Sequence, residues 1–580
     1  MNRIVSPTAR GLLAIALAVL LTVAVTTFVF ATPPSLTREV ESRVNRLNAF
    51  LPTPLGQNPP APLPRFPQQK QNEPTIALNP LNPLNLIAGA NDEQAEPPCQ
   101  DLNGDGALSG LAECPFAANV GSSGLYVSTN GGGTWTDLGV LDTVTTVAAD
   151  GWAAINHFSS GDPAIAFDSQ GNAYYANLAI PKSPAAPQVE QGGLAANLVV
   201  AKATFDSSSG TTGLKPTDWV PVLVTDGSPV RFDDKENIWA DTSSLSPFKD
   251  NVYVSWSTFT SNVRSIFGGI ASDHIAIVRS EDGGASWSNP VHLSRSCNIG
   301  CGGVQGSVVR TGPSGEVYVA WEESLNRFAP NAIVFSKSLD GGIHFTRPST
   351  VVSTLLDIPS PLNGGAFRDA TPKAGFRDNS FPSMTVAPDG TIYIAWAARC
   401  PAGPGCSRTK VLLAKSTNGG DTWSTPMLVS QRIATGTEDP GDQFFPWVTA
   451  SQNGPNTAVS IVYYDRSYDA TGLGSCTVAC TVDNTRLIGV TVATSLDAGT
   501  TWEYARADST SSGFDPAGSS TNGQGAQFMG DYIYAASTGH TVFVVWTDAR
   551  NGFIGAGKSY AISGSYGDSD IFFARLSWTP

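Results

Sequence analysis

Histidine, methionine and charged residues are scarce in this chain of 580 residues. It contains five His and four Met, and Asp, Glu, Lys and Arg together make up 14% of it. Its eight Cys include no C-x-x-C pair, so neither a zinc site nor a thiol-redox centre is expected. The sequence also has no Ser-His-Asp pattern and no phosphate-binding glycine loop, which leaves triad hydrolases and nucleotide enzymes without support.

Positive charge is scarcer than negative charge. The chain has 34 Lys and Arg against 49 Asp and Glu, a formal net charge of -15. This balance argues against nucleic acid or an anionic membrane surface as the main partner, and it suits a soluble protein whose surface can attract cations. Hydrophobic residues make up 41% of the chain, enough for a large core, so several domains or one large repeat architecture are both compatible with the length.

The first 31 residues indicate export. Arg3 and Arg10 precede an uncharged apolar run over 11–31, and Val29-Phe30-Ala31 before Thr32 is typical of a signal-peptide cleavage site. The run is also long enough to span a bilayer. Residues 1–31 are therefore expected to be either a cleaved signal peptide or an N-terminal membrane anchor, and both place the rest of the chain outside the cytoplasm, secreted or extracytoplasmic.

The cysteines fall into neighbouring pairs. In an exported chain, an even number of close-spaced Cys predicts disulfides, with free thiols as the alternative. The four expected disulfides are Cys99–Cys114, Cys297–Cys301, Cys400–Cys406 and Cys476–Cys480.

Residues 32–72 are rich in proline and predict an extended linker. One short helix is expected inside it, because apolar residues keep helical spacing after Ser35. These residues are Leu36, Val40, Val44, Leu47 and Phe50.

From residue 73 the chain repeats itself, and the repeat sets the expected fold. Its first half is an apolar strand, a turn and a second strand rich in β-branched and aromatic residues. Seven copies occur, at 73–92, 161–178, 235–257, 305–323, 379–399, 443–466 and 529–550. Its second half is a strand followed by a glycine turn that an aromatic residue closes. Five copies occur, STNGGGTW (128–135), SEDGGASW (280–287), SLDGGIHF (338–345), STNGGDTW (416–423) and SLDAGTTW (495–502).

The five octets resemble the Asp box (BNR repeat), S-x-D-x-G-x-T-W, of sialidase-type β-propellers. The resemblance implies an all-β fold, a single β-propeller over 73–580 with seven four-stranded blades, or six as the alternative. Asp or Asn at the third position can accept backbone N–H bonds, the glycines allow positive φ, and the aromatic residue packs between sheets. The second blade has only a degenerate box. The last blade lacks a fourth strand, so ring closure either borrows one from upstream of residue 73 or leaves that blade short.

Antiparallel blades sort the residues onto two faces. Asp boxes between third and fourth strands lie on one face, and we expect binding on the opposite, top face, where first strands start and second strands end. Cross-linked loops there would preorganise a binding surface. Polar residues concentrate at those positions: Asp92, Asp162, Asp234, Lys235, Glu236, Glu322, Glu323, Asp378, Arg399, Asp442, Asp465, Arg466, Asp531, Asp548 and Arg550.

A calcium loop is expected at 101–113. Oxygen ligands at alternate positions can wrap one hard cation, and Gly106 permits the sharp turn. The ligands would be Asp101, Asn103, Asp105, the Ala107 carbonyl, Ser109 and Glu113, although Glu113 falls one position later than in an EF-hand. The alternative is a solvated acidic turn without metal. No organic cofactor is expected.

The resemblance implies two functions. One is an exo-sialidase type of glycoside hydrolase, with a Tyr nucleophile, its Glu base, an Asp acid/base and three Arg that hold the substrate carboxylate. The catalytic candidates are Tyr532, Glu322 and Asp234, with Tyr464, Tyr468 and Glu323 as substitutes, and the substrate-binding candidates are Arg231, Arg377, Arg399, Arg466 and Arg550. The family's early Arg-Ile-Pro motif is absent, because the first repeat begins Glu73-Pro74-Thr75. The other function is a non-catalytic envelope propeller, a monomer that binds a glycan or an extracellular protein.

Overall fold

The structure is a computed structural model. It describes residues 35–46, 65–66, 68–100, 102, 115, 117, 119–142, 152, 154–182, 196–204, 219–225, 231–261, 270–294, 297–298, 303–323, 332–353, 379–399, 409–430, 442–466, 487–510, 513–514, 529–551 and 566–578. Within these ranges the regular structure is β-strand, apart from a helical turn near Trp152. No helix in the described part of the chain is long and apolar enough to cross a membrane.

The strands are short and alternate with turns. In chain order they are β1 (Leu36–Arg43), β2 (Arg65–Phe66), β3 (Gln68–Leu78), β4 (Leu86–Asp92), β5 (Cys99–Gln100), β6 (Ser123–Ser128), β7 (Thr136–Val140), β8 (His157–Ser159), β9 (Ala164–Phe167), β10 (Asn172–Pro181), β11 (Asn197–Thr204), β12 (Val220–Leu223), β13 (Arg231–Ala240), β14 (Val252–Ser261), β15 (Ile270–Ser280), β16 (Val291–His292), β17 (Cys297–Asn298), β18 (Val304–Thr311), β19 (Val317–Glu323), β20 (Ala332–Ser338), β21 (Ser349–Val352), β22 (Ser383–Val386), β23 (Ile392–Arg399), β24 (Thr409–Ser416), β25 (Met427–Leu428), β26 (Gln443–Asn453), β27 (Asn456–Asp465), β28 (Gly489–Ser495), β29 (Glu503–Arg506), β30 (Tyr534–Thr538), β31 (Thr541–Asp548) and β32 (Tyr566–Trp578).

These strands form antiparallel sheets that repeat one pattern along the chain. The described strands form seven groups of four, here named sheets 1 to 7; the strands of the first six follow sequence order, and the seventh takes β1 as its fourth strand. They are β3-β4-β6-β7, β9-β10-β11-β12, β13-β14-β15-β16, β18-β19-β20-β21, β22-β23-β24-β25, β26-β27-β28-β29 and β30-β31-β32-β1. A parallel pair between β3 and β32 joins sheets 1 and 7, and β8 and β17 add short pairings to sheets 2 and 3. The predicted all-β class is therefore confirmed, and the four-stranded sheets are consistent with propeller blades.

The first strands of the seven groups contact one another in a closed series. Each of β3, β9, β13, β18, β22 and β26 contacts the next first strand, and β30 contacts β3 again. Buried apolar clusters lie between successive sheets, for example between sheets 2 and 3 and between sheets 4 and 5. Because each sheet is covered by its two neighbours, both of its faces can be apolar, which explains the nearly continuous hydrophobic strands.

The seventh sheet takes its last strand from the beginning of the chain. Strand β1 pairs antiparallel with β32 from Leu36↔Trp578 to Arg43↔Phe572. The expectation that closure borrows an upstream strand is confirmed, and the helix predicted from Leu36 onward is wrong. An isolated short helix is marginal in water, whereas the open edge of β32 offers a full row of backbone partners.

The five Asp boxes join third to fourth strands, as predicted. In sheet 3 the box starts at Ser280, which pairs with Val252 at the start of the second strand, whereas Arg231 at the start of the first strand pairs with Thr260. The boxes thus lie at the opposite end of the sheets from the first-strand starts. Each box also contacts the preceding sheet; the Trp135 ring, for example, lies 5.3 Å from that of Phe573.

Candidate functional site

A bulge interrupts several first strands near their starts. The pairing of first with second strand skips two residues in β3, β13, β18 and β26. Each bulge contains one residue at positive φ: Glu73 (55°), Lys235 (53°), Gly306 (69°) and Phe445 (49°). Positive φ is uncommon for residues other than glycine and strains the backbone, and bulges redirect side chains. Bulges at equivalent positions therefore re-aim side chains at one end of the closed series of first strands.

A pocket opens where these strand starts meet. Its cavity volume is about 20 Å³, room for about one water molecule. Residues from sheets 3 to 7 line it: Lys235, Asn237, Gly306, Ser307, Val308, Asn379, Phe381, Pro382, Phe445, Pro446, Trp447, Asp531 and Tyr532. Aromatic rings thus alternate with amide, hydroxyl, ammonium and carboxylate groups. We call this the top pocket, because it lies on the face where the sequence predicted binding.

Tyr532 and Lys235 meet in the top pocket. The Lys235 Nζ lies 3.4 Å from the centre of the Tyr532 ring. Burial, followed by the nearby carboxylates led by Asp162 and Glu73, raises the pKa of Tyr532 well above its ordinary value. The phenol is therefore neutral at physiological pH, and it can donate a hydrogen bond but is not an ionised nucleophile.

Glu236, one residue from Lys235, is a buried acid on the bulge of β13. Both of its carboxylate oxygens are buried, and neither has an acceptor or donor partner among the described residues. Burial first, and then Asp162 and Asp234, raises the pKa of Glu236 well above its ordinary value, whereas Lys235 opposes this shift. Glu236 is thus a neutral carboxyl next to two residues that line the top pocket, Lys235 and Asn237.

The other two predicted catalytic residues lie beside two neighbouring bulges, Asp234 at that of β13 and Glu322 opposite that of β18. The Asp234 Oδ2 accepts a hydrogen bond from Gln305 Nε2 at 3.1 Å, and Gln305 is the strand partner of Glu322. Asp234, Glu322 and Tyr532 thus lie at the same end of the sheets, and their catalytic roles stay a prediction. The alternative Glu323 accepts a hydrogen bond from the Trp321 indole at 2.8 Å.

The described candidate arginines do not share one site. Arg231 makes a bidentate pair with Asp233, at 2.9 and 2.7 Å. The Arg466 Nη1 lies 3.5 Å from Asp442 Oδ2. Arg550 donates to Asp548 at 2.6 Å and to Glu41, on strand β1, at 2.8 Å. Each guanidinium is paired with a carboxylate of its own sheet. The Arg399 side chain and Arg377 lie outside the described residues.

The alternative tyrosine has a structural role. The Tyr464 hydroxyl donates to the Thr547 carbonyl at 3.0 Å and accepts from the Thr547 N–H at 2.9 Å, which links sheets 6 and 7. Burial raises its pKa, so it too stays neutral. Tyr468 and Asp378 lie outside the described residues.

The metal and disulfide predictions fall almost wholly outside the described part of the chain. The proposed ligands, Asp101, Asn103, Asp105, Ala107, Ser109 and Glu113, are not described, and calcium stays a prediction. The described residues themselves hold no group of three or more His, Cys, Asp or Glu suited to a metal. Cys99 is buried and disulfide-bonded. Its expected partner, Cys114, is not described. The same holds for the other predicted disulfide cysteines, namely Cys301, Cys400, Cys406, Cys476, Cys480 and the side chain of Cys297.

Sequence reasoning identified three of the 13 residues that line the top pocket. It identified Lys235, Asp531 and Tyr532 as polar residues or phenols near first-strand starts, but not Asn379, Phe381 or Trp447. These three occupy the same region of their repeats, so alignment of the seven repeats on the first strand is the signal that could have found them.

No protein-family model matches this sequence, and neither does any curated protein. Solved structures similar to this chain include a protein of unknown function from Dyadobacter fermentans, with 12% identity, a TM-score of 0.41, and 73% of this chain and 95% of that chain covered. A Hadza microbial sialidase has 14% identity and a TM-score of 0.37, over 68% of this chain and 63% of that chain. The α-L-arabinanase of Penicillium chrysogenum has 11% identity and a TM-score of 0.38, over 71% of this chain and 92% of that chain. The structural neighbours are thus sialidases and arabinan-degrading enzymes, sialidase-type Asp-box propellers, at low identity.

Proposed function

We propose that sheets 1 to 7 are the blades of one seven-bladed β-propeller. Three observations support seven blades over six: the seven groups of four strands, the closed series of first-strand contacts, and the apolar clusters between successive sheets. Closure by β1 gives the seventh blade a full set of strands, so every blade presents its first strand to the centre and the top pocket surrounds the axis.

We propose further that the top pocket binds a glycan at the surface of an exported protein. The observation that carries this proposal is the mixture of aromatic rings and neutral or charged polar groups around the mouth of one pocket on the top face. Sugar rings have apolar C–H faces and polar edges, so a site for them needs flat rings beside convergent donors and acceptors. Phe381, Trp447 and Tyr532 supply the rings, and Lys235, Asn237, Asn379 and Asp531 supply the polar groups.

Binding to a panel of glycans by calorimetry tests this function. We expect Phe381→Ala to weaken binding of any recognised glycan about tenfold, since an aromatic contact and its apolar area are lost. Phe345→Ala removes a half-buried aromatic ring from an Asp box at the opposite end of the sheets and is the matched control. Equal loss in both variants, or no binding of any glycan by the wild type, would exclude the top pocket as a glycan site.

Hydrolysis of the bound glycan is the second candidate, and Glu236 favours it. General-acid catalysis of glycoside cleavage needs a carboxyl group that is still protonated near neutral pH, and burial keeps Glu236 in that form. The paired arginines Arg231, Arg466 and Arg550 favour a neutral glycoside over a sialoside, because none of the three is left to hold a substrate carboxylate.

A fluorogenic sialoside, assayed beside a panel of neutral glycosides, separates the two candidates. If the protein is an enzyme, we expect turnover of a neutral glycoside, and Glu236→Gln to abolish turnover while glycan binding is retained. Turnover of no glycoside by a protein that binds glycans assigns the alternative, a non-catalytic propeller of the cell envelope.

A further inference from the structure

Arg310 is a fully buried cation in the centre of the molecule. It lies on β18, the first strand of sheet 4, and only 3% of its surface is exposed. Two residues that line the top pocket contact it. Asn237 accepts a hydrogen bond from Arg310 Nη1 at 2.9 Å, and the Trp447 ring centre lies 5.7 Å from Arg310 Cζ. The guanidinium therefore lies next to the inner part of the top pocket.

The described groups around this guanidinium are neutral. Nη1 donates to Asn237 Oδ1 and, at 2.6 Å, to the Val309 carbonyl. Cζ stands 4.4 Å from the Trp239 ring centre, and the Tyr534 side chain also lies near the guanidinium. Among the described residues, no carboxylate forms an ion pair with Arg310, in contrast to Arg231, Arg466 and Arg550.

The hydrogen-bond capacity of the guanidinium exceeds its described partners. Arginine carries five N–H donors; the two on Nη1 go to Asn237 and Val309, and those on Nε and Nη2 have no acceptor among the described residues. The Asn237 Oδ1 also accepts from Val309 N at 3.1 Å, which fixes its orientation. The Asn237 amide nitrogen is then a further donor that has no acceptor in the described part of the chain.

A buried charge is costly unless an opposite charge neutralises it, and aromatic faces offset only part of that cost. We propose that Arg310, with Asn237, binds a small monovalent anion between the first strands, a free halide such as chloride. One negative charge neutralises the guanidinium. The lone pairs of the anion accept hydrogen bonds from the N–H groups of Arg310 that have no described acceptor. The rings of Trp239 and Trp447 restrict the space to a small group.

Anion-dependent thermal stability of the full chain tests this site. A ligand that binds only the folded state raises its melting temperature. At constant ionic strength, replacing gluconate with chloride should raise the wild-type melting temperature saturably by about 2 °C or more, whereas Arg310→Met should show no saturable rise. Arg279→Met removes an arginine that pairs with Glu281 far from the centre, and it is the matched control that should keep the full response.

Acetate in place of chloride tests how selective the site is. A rise with chloride that acetate does not reproduce supports a site that fits a halide, and a rise with acetate but not with chloride would contradict it. Equal melting temperatures in gluconate, chloride and acetate, or the same rise in Arg310→Met as in the wild type, would overturn the proposal.

A second measurement needs no folded Arg310 variant. Iodide quenches tryptophan fluorescence on contact, and an anion bound at Arg310 touches the surroundings of Trp239. We expect a saturable part of the wild-type quenching that chloride competes away and that Trp239→Phe removes. Quenching that rises linearly with iodide and ignores chloride would contradict the site.

Discussion

At the scale of one residue, Asp92 shows how burial in a sheet changes the pKa of a carboxylic acid. It ends the second strand of sheet 1 and is fully buried. Its oxygens accept hydrogen bonds from Gln71 Nε2 and the Gln94 N–H at 2.9 Å and from the Tyr126 hydroxyl at 2.7 Å. Burial nevertheless raises the pKa of Asp92 from 3.8 to about 6, with a further contribution from the negative charge of Asp137. Desolvation therefore outweighs three hydrogen bonds at this position.

The raised pKa of Asp92 predicts a pH-dependent stability. The contribution of Asp92 to the free energy of unfolding is fully present below pH 3.8 and is lost as the pH rises through about 6. Between these two values the folded state still holds a proton on Asp92 that the unfolded state has released. The loss amounts to roughly 3 kcal/mol. We expect Asp92→Asn, which keeps an acceptor for Gln71, to remove this part of the decline between pH 4 and pH 6 in urea unfolding.

Glu503→Gln is the control for that measurement, since Glu503 is exposed. Its free energy of unfolding should follow the wild-type pH profile. A wild-type profile in Asp92→Asn would show that Asp92 titrates at its ordinary value in the folded protein.

At the scale of the element, the Asp box is a hairpin held by one side chain. The Asp282 Oδ1 accepts from the Ser286 N–H at 2.9 Å and from the Ser280 hydroxyl at 2.8 Å, and Ser280 in turn accepts from the Gly284 N–H. Hydrogen bonds from Ser286, with its hydroxyl first, lower the pKa of Asp282 to about 2. Two other boxes contain Asn at this position and make the same hydrogen bond to the backbone. The Asn130 Oδ1 accepts from the Thr134 N–H, and the Asn418 Oδ1 accepts from the Thr422 N–H.

This comparison predicts how the box responds to substitution. Asp282→Ala removes the acceptor from the turn and should lower the free energy of unfolding by about 1–2 kcal/mol. Asp282→Asn should cost little, because Asn130 and Asn418 already make the equivalent bonds. Denaturant unfolding of both variants measures the difference, and equal losses would mean that the negative charge, rather than the acceptor, holds the hairpin.

At the scale of the whole molecule, the N-terminal strand closes the series of sheets. Beyond the β1–β32 pairing, the Val44 N–H donates to the Ile571 carbonyl at 2.8 Å and Asn45 Nδ2 donates to Asp570 at 2.9 Å and Gln71 at 3.0 Å. Residues near the two ends of the described chain thus hold sheets 7 and 1 together. Removal of β1 leaves the edge of β32 unpaired and uncovers part of the core.

A chain that starts at residue 47 should therefore be much less stable than one that starts at Ser35. Burial of Val44 alone is worth roughly 1.5–3 kcal/mol, and the strand pairing adds to it. We expect a lower melting temperature for the shorter chain, and its recovery when a synthetic peptide of residues 35–46 is added. Identical melting temperatures of the two chains would show that β1 does not close the fold.

The repeat made most of the fold predictable. Hairpins of first and second strands and Asp boxes between third and fourth strands follow from local patterns that recur along the chain, whereas the closing strand does not. The helix expected from Leu36 is the error, because the same spacing of Leu36, Val40 and Val44 is compatible with a strand, and only the open edge of β32 decides between them. The polar ring on the top face was predicted as a region, but its arginines are divided among separate carboxylates.

Amino-acid sequence by itself determined the all-β class, the repeated sheet and the face that carries the top pocket, because turns, alternation and Asp boxes act within about 20 neighbouring residues. Tertiary structure alone decided which side chains share the centre. Glu73, Lys235, Gly306 and Phe445 occupy equivalent bulges although they have no side-chain chemistry in common. The closed series of first strands imposes the same backbone on all four, and the burial of Glu236 and Arg310 follows from that closure and from no local pattern.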